Sequence, residues 1–227
     1  MAKLRYLGHS AFYLEGDGLK ALIDPFLAGP TAAAKPDEFT DISYIFLTHG
    51  HGDHVGSTVE IAKRCGATVF SCNELAAFIA SKGIKVEGMH IGGRARFPFG
   101  RVKLTPAWHG CPIIDGAETR YGGVACGFVI EVDGKTVYHA GDTGLTVEMS
   151  LLADENIDVA CLPIGGYYTM DPEDAARAVK MIKPRIAVPM HYNTFPAIKA
   201  DPREFAKYVG IGQTEVKILE PGESLTI

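Results

Sequence analysis

No stretch of this chain is apolar over the roughly eighteen residues that a membrane-spanning helix requires, and Met1–Leu7 lacks the long apolar core of a secretory signal. The expected location is therefore the cytoplasm. Basic residues are in the minority: 22 Lys and Arg stand against 27 Asp and Glu, a formal charge of −5, so the global positive field of a nucleic-acid binder is missing. A small-molecule substrate is the expected partner, with nucleic acid disfavoured and a homo-oligomer left open. The cysteines, at 65, 72, 111, 126 and 161, are odd in number and form no Cys-x-x-Cys pair, which argues against a disulfide framework and for reduced thiols. Linkers and low-complexity segments are also missing. With 227 residues, 47% of them hydrophobic and 22% charged, the chain has the material for a single domain over residues 1–227.

What is present is concentrated in Thr48-His49-Gly50-His51-Gly52-Asp53-His54, which places four metal-ligating side chains in six residues after the apolar run Tyr44–Leu47. Three imidazoles and a carboxylate suit a borderline cation such as Zn²⁺, and the two glycines permit a tight turn. The set is larger than one open catalytic cation takes, so it points to two neighbouring cations and to further ligands downstream. His109, Asp142 and His191 each follow an apolar, strand-like segment, where residues distant in sequence converge in layered α/β proteins.

Short strands are expected at 4–7, 11–14 and 19–23, with Glu15-Gly16-Asp17-Gly18 as a hairpin turn. A helix at 57–64, a strand at 68–71 and a helix from an Asn73 cap through Ala80 follow. A second strand-rich block covers 102–107 and 127–132 and turns at Asp133-Gly134 into 136–139. The remainder alternates: strand 159–163, helix 172–182 capped by Asp171, strand 186–189, helix 202–208 capped by Asp201, strand 216–219. The order suggests two similar halves.

The motifs resemble those of the metallo-β-lactamase superfamily, which run Asp, His-x-His-x-Asp-His, His, Asp, His. Asp24, residues 49–54, His109, Asp142 and His191 match in that order, and Gly8-His9-Ser10 matches a branch of small metal-dependent hydrolases related to ascorbate-phosphate lactonases and to phospholipase-D-type enzymes acting on N-acyl ethanolamine lipids. The resemblance implies an α/β fold, a four-layer αββα sandwich with the metal site at one edge of the two sheets. It implies two divalent cations, zinc first, with Mn, Fe or Ni accepted by the same donors. His49, His51 and His109 would hold one; Asp53, His54 and His191 the other; Asp142 would bridge. Asp24 would accept a hydrogen bond from a ligand histidine without touching metal.

The implied activity is hydrolysis of an ester, lactone or phosphodiester by a metal-bound hydroxide. Asp53 would orient that nucleophile, His9 would line the pocket or move a proton, and Asn193 would donate to a developing oxyanion. The alternatives are a nuclease or phosphodiesterase of the same fold acting on nucleic acid, and a metal-binding protein without turnover. His139 falls on the opposite strand face from Asp142 if 136–142 is regular, and is read as packed; His90 is read as surface. Arg94, Arg96, Arg101 and Lys103 are read as a solvated edge, with an anion patch as the functional alternative. The loops at 165–170 and 192–195 are candidate pocket walls. Gly166 departs from the branch, which often carries a polar residue there.

Overall fold

Period-two alternation builds both sheets of the computed structural model, which describes residues 1–227. β1 (Lys3–Gly8), β2 (Ala11–Gly16) and β3 (Leu19–Ile23) form an antiparallel meander, which β4 (Tyr44–Phe46), β5 (Thr68–Cys72) and β6 (Lys85–Met89) extend in parallel. Along these strands Phe12, Phe46 and Phe70 face inward, while Leu22, Ile45 and Val69 face the outer helices. Those helices are α2 (Thr58–Cys65) and α3 (Asn73–Ser81); α1 (Gly52–Val55) is a single turn ahead of them.

The second sheet repeats the plan. β7 (Arg94–Phe97) and β8 (Gly100–Pro106) are followed by a separate hairpin, β9 (Pro112–Asp115) and β10 (Glu118–Tyr121). Then come β11 (Cys126–Val132), β12 (Lys135–His139), β13 (Val159–Pro163) and β14 (Ile186–Met190), with α4 (Pro172–Ile182) between the last two. α5 (Pro202–Val209) and β15 (Glu215–Val216) complete this half, and β16 (Ser224–Thr226) returns to pair with β1. The sheet orders are β16-β1-β2-β3-β4-β5-β6 and β7-β8-β11-β12-β13-β14-β15. In each, the first three pairings are antiparallel and the last three parallel.

A cluster of 41 buried residues includes the inner faces of both sheets, where the Phe46 and Phe128 rings meet at 5.3 Å. A second cluster of 21 lies under α2 and α3. Helix α4 buries Ala175, Ala176, Val179 and Ile182, giving the fourth layer of the αββα sandwich. Each fully buried Phe or Leu contributes about 1.5–3 kcal/mol. Asp171 and Asp201 cap α4 and α5 by accepting the Asp174 and Arg203 backbone N–H groups at 2.8 and 2.9 Å. No helix is long and apolar enough to cross a membrane.

Several elements differ from the sequence reading. Helix α3 begins at Asn73 itself, with Cys72 at the cap position. The strand expected at 136–139 forms, as β12, but the regular register supposed as far as Asp142 does not, because Gly141 takes a φ of 64° that no extended strand accommodates. The strand at 216–219 shrinks to two residues, and the 3₁₀ segment Val147–Glu155 was read as no element. The β9–β10 hairpin also escaped notice: β10 is exposed throughout and carries no apolar alternation.

Candidate metal centre

The motif loop leaves the C-terminal end of β4 and runs beneath the β9–β10 hairpin. A side chain at Gly50 would place its Cβ 2.3 Å from the Pro112 carbonyl oxygen, so this glycine is required by close approach. Asp53 and His54 lie on the single turn of α1, His109 follows β8, Asp142 follows β12 and His191 follows β14. His9, Asp24, His191 and Asn193 all have φ between 44° and 59°, a left-handed conformation that costs a non-glycine residue about 1–3 kcal/mol. The structure thus gathers four strained residues at strand ends on the edge where the candidate ligands meet.

Two groups of side chains converge there. His51 Nδ1 lies 2.9 Å from His49 Nε2 and 3.2 Å from His109 Nε2. Three tetrahedral ligands at about 2.0–2.1 Å from one cation would stand roughly 3.3 Å apart, close to that spacing. His9, Asp53, His54 and His191 form the second group, with ligand atoms within 4.8 Å of one another. Asp142 stands between the groups: its Oδ1 is 3.2 Å from His54 Nε2, and its Oδ2 is 2.9 Å from His191 Nε2, 3.6 Å from His109 Nε2 and 4.0 Å from His49 Nε2.

Hydrogen bonding behind these atoms sets the tautomers. Thr48 donates its backbone N–H to Asp24 Oδ1 at 2.8 Å and its hydroxyl to Asp24 Oδ2 at 2.6 Å. The Thr48 oxygen accepts from His49 Nδ1 at 3.0 Å, and Asp24 Oδ2 accepts from His54 Nδ1 at 2.7 Å. One buried carboxylate thereby fixes both imidazoles with Nε2 turned to the centre. His9 Nε2 donates to Asp53 Oδ2 at 3.2 Å, and Thr194 Oγ1 donates to His9 Nδ1 at 2.8 Å. Thr194 is a contributor that the sequence reading missed.

Burial is the leading influence on every shifted group of the centre. It drives the His49, His51 and His109 imidazoles below their ordinary range, and it takes His9 down to about 4 against the opposing pull of Asp53. All four are neutral at pH 7. Burial would raise Asp53 and Asp142, but His9 and His54 beside the former and His54 and His191 beside the latter outweigh it and hold both well below the carboxylate range. Burial would likewise lower His54, yet Asp142 and Asp24 on either side hold it well above.

Three buried atoms at the centre have no hydrogen-bond partner: His54 Nε2, Asp142 Oδ1 and His191 Nδ1. The first two are 3.2 Å apart and misaligned for a bond. Each orphaned polar atom costs about 1–3 kcal/mol, and a divalent cation, displacing the His54 proton, is the group that accepts electron pairs from an imidazole nitrogen and a carboxylate oxygen together. The donor set therefore fits divalent metal.

Other expected residues lie elsewhere. Asn193 is exposed, its Oδ1 accepts the Ala200 N–H at 3.1 Å, and it lines a separate cleft with Tyr6 and Arg203, so it aims no donor into the centre. His139 is buried outside the ligand groups: its Nε2 donates to the Ser10 carbonyl at 2.9 Å and its Nδ1 accepts the Gly141 N–H at 3.2 Å. His90 is exposed. In the cationic run, Arg94 and Lys103 share Glu155 and Arg101 pairs with Glu131, so three of its four members are engaged in ion pairs.

The centre opens into a cavity of about 260 Å³ lined by His51, Asp53, His109, Asp142, His191, Tyr168 and Phe195. The Gly165-Gly166 turn presents Tyr168. A Cβ on Gly165 would fall 2.3 Å from the His191 carbonyl oxygen, while Gly166 has a φ of 64° and little around it.

Comparison with known proteins agrees with this architecture. Residues 3–191 match the family model of the β-lactamase superfamily domain. A UPF0173 metal-dependent hydrolase of Alkaliphilus metalliredigens is 52% identical over 219 residues, covering 96% of this chain and 97% of the relative. One from Pyrococcus furiosus is 48% identical over 233 residues and covers 100% of both. Among solved structures, Igni18, a metallo hydrolase from Ignicoccus hospitalis, superposes with a TM-score of 0.90 at 42% identity, covering 99% of this chain and 97% of that one. From end to end the likeness follows the same fold, and the chain belongs to the β-lactamase superfamily, among its metal-dependent hydrolases.

Proposed function

We propose that this protein hydrolyses an ester, lactone or phosphodiester bond of a small substrate at a two-cation centre, zinc being the first choice of metal. The observation that carries the reading is Asp142, a buried carboxylate flanked by two histidine groups, with one oxygen left without a hydrogen bond. His49, His51 and His109 would hold one cation, Asp53, His54 and His191 the other, and Asp142 stands within reach of both groups. Bound cations would supply Lewis acidity and a nucleophile active at neutral pH.

The chain's own residues do the rest. Asp24 and Thr48 keep His49 and His54 in the ligating tautomer, and His9, fixed by Thr194, holds one oxygen of Asp53 so that the other faces the centre. Asp53, 29% exposed, borders the cavity and is placed to orient a water. Tyr168 and Phe195 exclude bulk water on the open side.

A closed structural metal site would leave no mouth, whereas His51, Asp53 and His109 all face the cavity. The cavity wall contains no Lys or Arg, which disfavours a nucleic-acid backbone as substrate. Five free thiols and the net charge of −5 support a soluble protein of the reducing cytoplasm. The test is elemental analysis of the purified protein together with assays on generic esters, lactones and phosphodiesters. Two equivalents of metal with metal-dependent turnover, both lost in Asp142→Ala, are expected; turnover unchanged in Asp142→Ala rejects the assignment.

A further inference from the structure

Remove the candidate ligands from the cavity lining and two side chains remain, Tyr168 and Phe195. Both are held ready. Phe195 sits 5.6 Å from the His9 ring and 6.4 Å from the Phe26 ring while staying 37% exposed, and Tyr168 meets Tyr167 edge to face at 4.7 Å while 55% exposed. Exposed aromatic rings with fixed neighbours lose little conformational freedom when a ligand covers them.

The loop behind Tyr168 is anchored to the centre. Thr143, next to Asp142, accepts the Met170 N–H at its carbonyl at 3.0 Å and the Trp108 N–H at its hydroxyl at 2.9 Å. The same residue thus ties the Tyr168 loop to the segment that carries His109. Gly166 contributes a left-handed turn and no polar group.

Charge recognition is missing from this wall. Arg94, Arg101 and Lys103 are engaged by Glu155 and Glu131, and Arg203 lines the other cleft. A charged tail seated on Tyr168 and Phe195, held away from the cations of the centre, would lose water and meet no counter-ion. The cavity, about 260 Å³, falls just under the range of about 300–1,000 Å³ usual for pockets that enclose drug-sized ligands.

We infer that the substrate's non-reacting part is a compact apolar or aromatic group seated against Tyr168 and Phe195, and that the uncharged wall selects against substrates with a second ionised group. This inference rests on the hydrolase reading for the position of the scissile bond, while the wall itself is measured by binding.

The experiment is calorimetric titration of the Zn²⁺-loaded protein with acetate, butyrate, hexanoate and adipate, whose carboxylates serve as a common head group. Affinity should rise about four-fold per methylene from acetate to butyrate, the value of burying one CH₂. Adipate should bind about ten-fold or more weakly than hexanoate, because its far carboxylate is carried to the aromatic wall and desolvated there without a partner. In Tyr168→Ala and Phe195→Ala the rise should flatten to below about two-fold per methylene with acetate unchanged. Tyr121→Ala, a more exposed aromatic on β10 outside the cavity, should keep the full slope. A flat series in the unmodified protein, adipate binding as tightly as hexanoate, both cavity variants retaining the slope, or no binding by any member would overturn the inference. Chain-length-dependent binding with no turnover of any generic ester, lactone or phosphodiester rejects the hydrolase reading and leaves the wall standing; turnover of one of these with a flat binding series does the reverse.

Discussion

Asp24 and Asp142 follow β3 and β12, strands of the same rank, fourth, in the two sheets. Around Asp24 the neighbours are an N–H, a hydroxyl and the protonated side of an imidazole, so both oxygens are engaged. Around Asp142 the neighbours are the Nε2 atoms of four histidines, and one oxygen lacks a bond. His54 lies between, with Nδ1 on the first aspartate and Nε2 beside the second. A repeated backbone position thus yields an orienting carboxylate in one half and an open one in the other, and the donors nearby decide which.

The largest effects test that division directly. Asp24→Ala leaves Thr48 and His54 buried without their acceptor and should cost about 3–5 kcal/mol in the metal-free protein, measured by urea denaturation. Asp142→Ala should lose metal by elemental analysis and cost less metal-free stability than Asp24→Ala, because one Asp142 oxygen already lacks a hydrogen bond. Equal destabilisation by both would erase the contrast.

A related contrast separates two imidazoles. His54, between two carboxylates, is held above its ordinary range, so its contribution is present below about pH 6.5 and lost as pH rises through the folded value. His9, with one carboxylate and deep burial, is lowered to about 4. The unfolded chain takes up a proton near pH 6.5 that folded His9 refuses, so stability present above that value is lost as pH falls towards 4. Relative to His9→Gln, in which the His54 contribution cancels, the unmodified metal-free protein should lose on the order of 3 kcal/mol between pH 7 and pH 4. A parallel pH profile for the two proteins would show that His9 titrates normally.

Smaller effects sharpen the comparison one strand further along. β4 and β13 are again of equal rank, and each is followed by a glycine whose Cβ would lie 2.3 Å from a carbonyl oxygen, of Pro112 for Gly50 and of His191 for Gly165. Either alanine substitution should cost about 1–3 kcal/mol by thermal denaturation. The difference should lie in which ligands move: Gly165→Ala should weaken the cation held by His191, and Gly50→Ala the one held by His49 and His51. Smallest is Thr194→Val, which frees the His9 tautomer and should lower metal affinity about ten-fold in a chelator competition. No change there would reduce Thr194 to a packing residue.

The strand ends that carry ligands were legible because His49 to His54, His109, Asp142 and His191 all follow β-branched or aromatic runs. Asp171 and Asp201 announced their helices by the proline that follows each. Less legible were features set by tertiary contact. Asn193 was assigned to the pocket on its closeness in sequence to His191, yet its left-handed backbone turns the side chain onto Ala200, and Thr194 next door is the residue that reaches His9. His139 was read as lying off the centre from a strand register that ends too early; the structure keeps it off the centre through its bonds to Ser10 and Gly141 instead. The hairpin over Gly50 left no sequence signal, since a glycine needed for close approach looks the same as one needed for a turn.

The pairing of β16 with β1 sets Lys3 opposite Thr226, so the first sheet stays one strand short until some 220 later residues have been synthesised. During translation the outer edge of β1 is an open template for other chains. Lys3 is exposed there and Arg5 half-buried, alternating with the buried Leu4 and Tyr6, and edge charges of this kind repel an incoming strand. Lys3 and Arg5 therefore place charge on a sheet edge that stays open until residues 224–226 arrive.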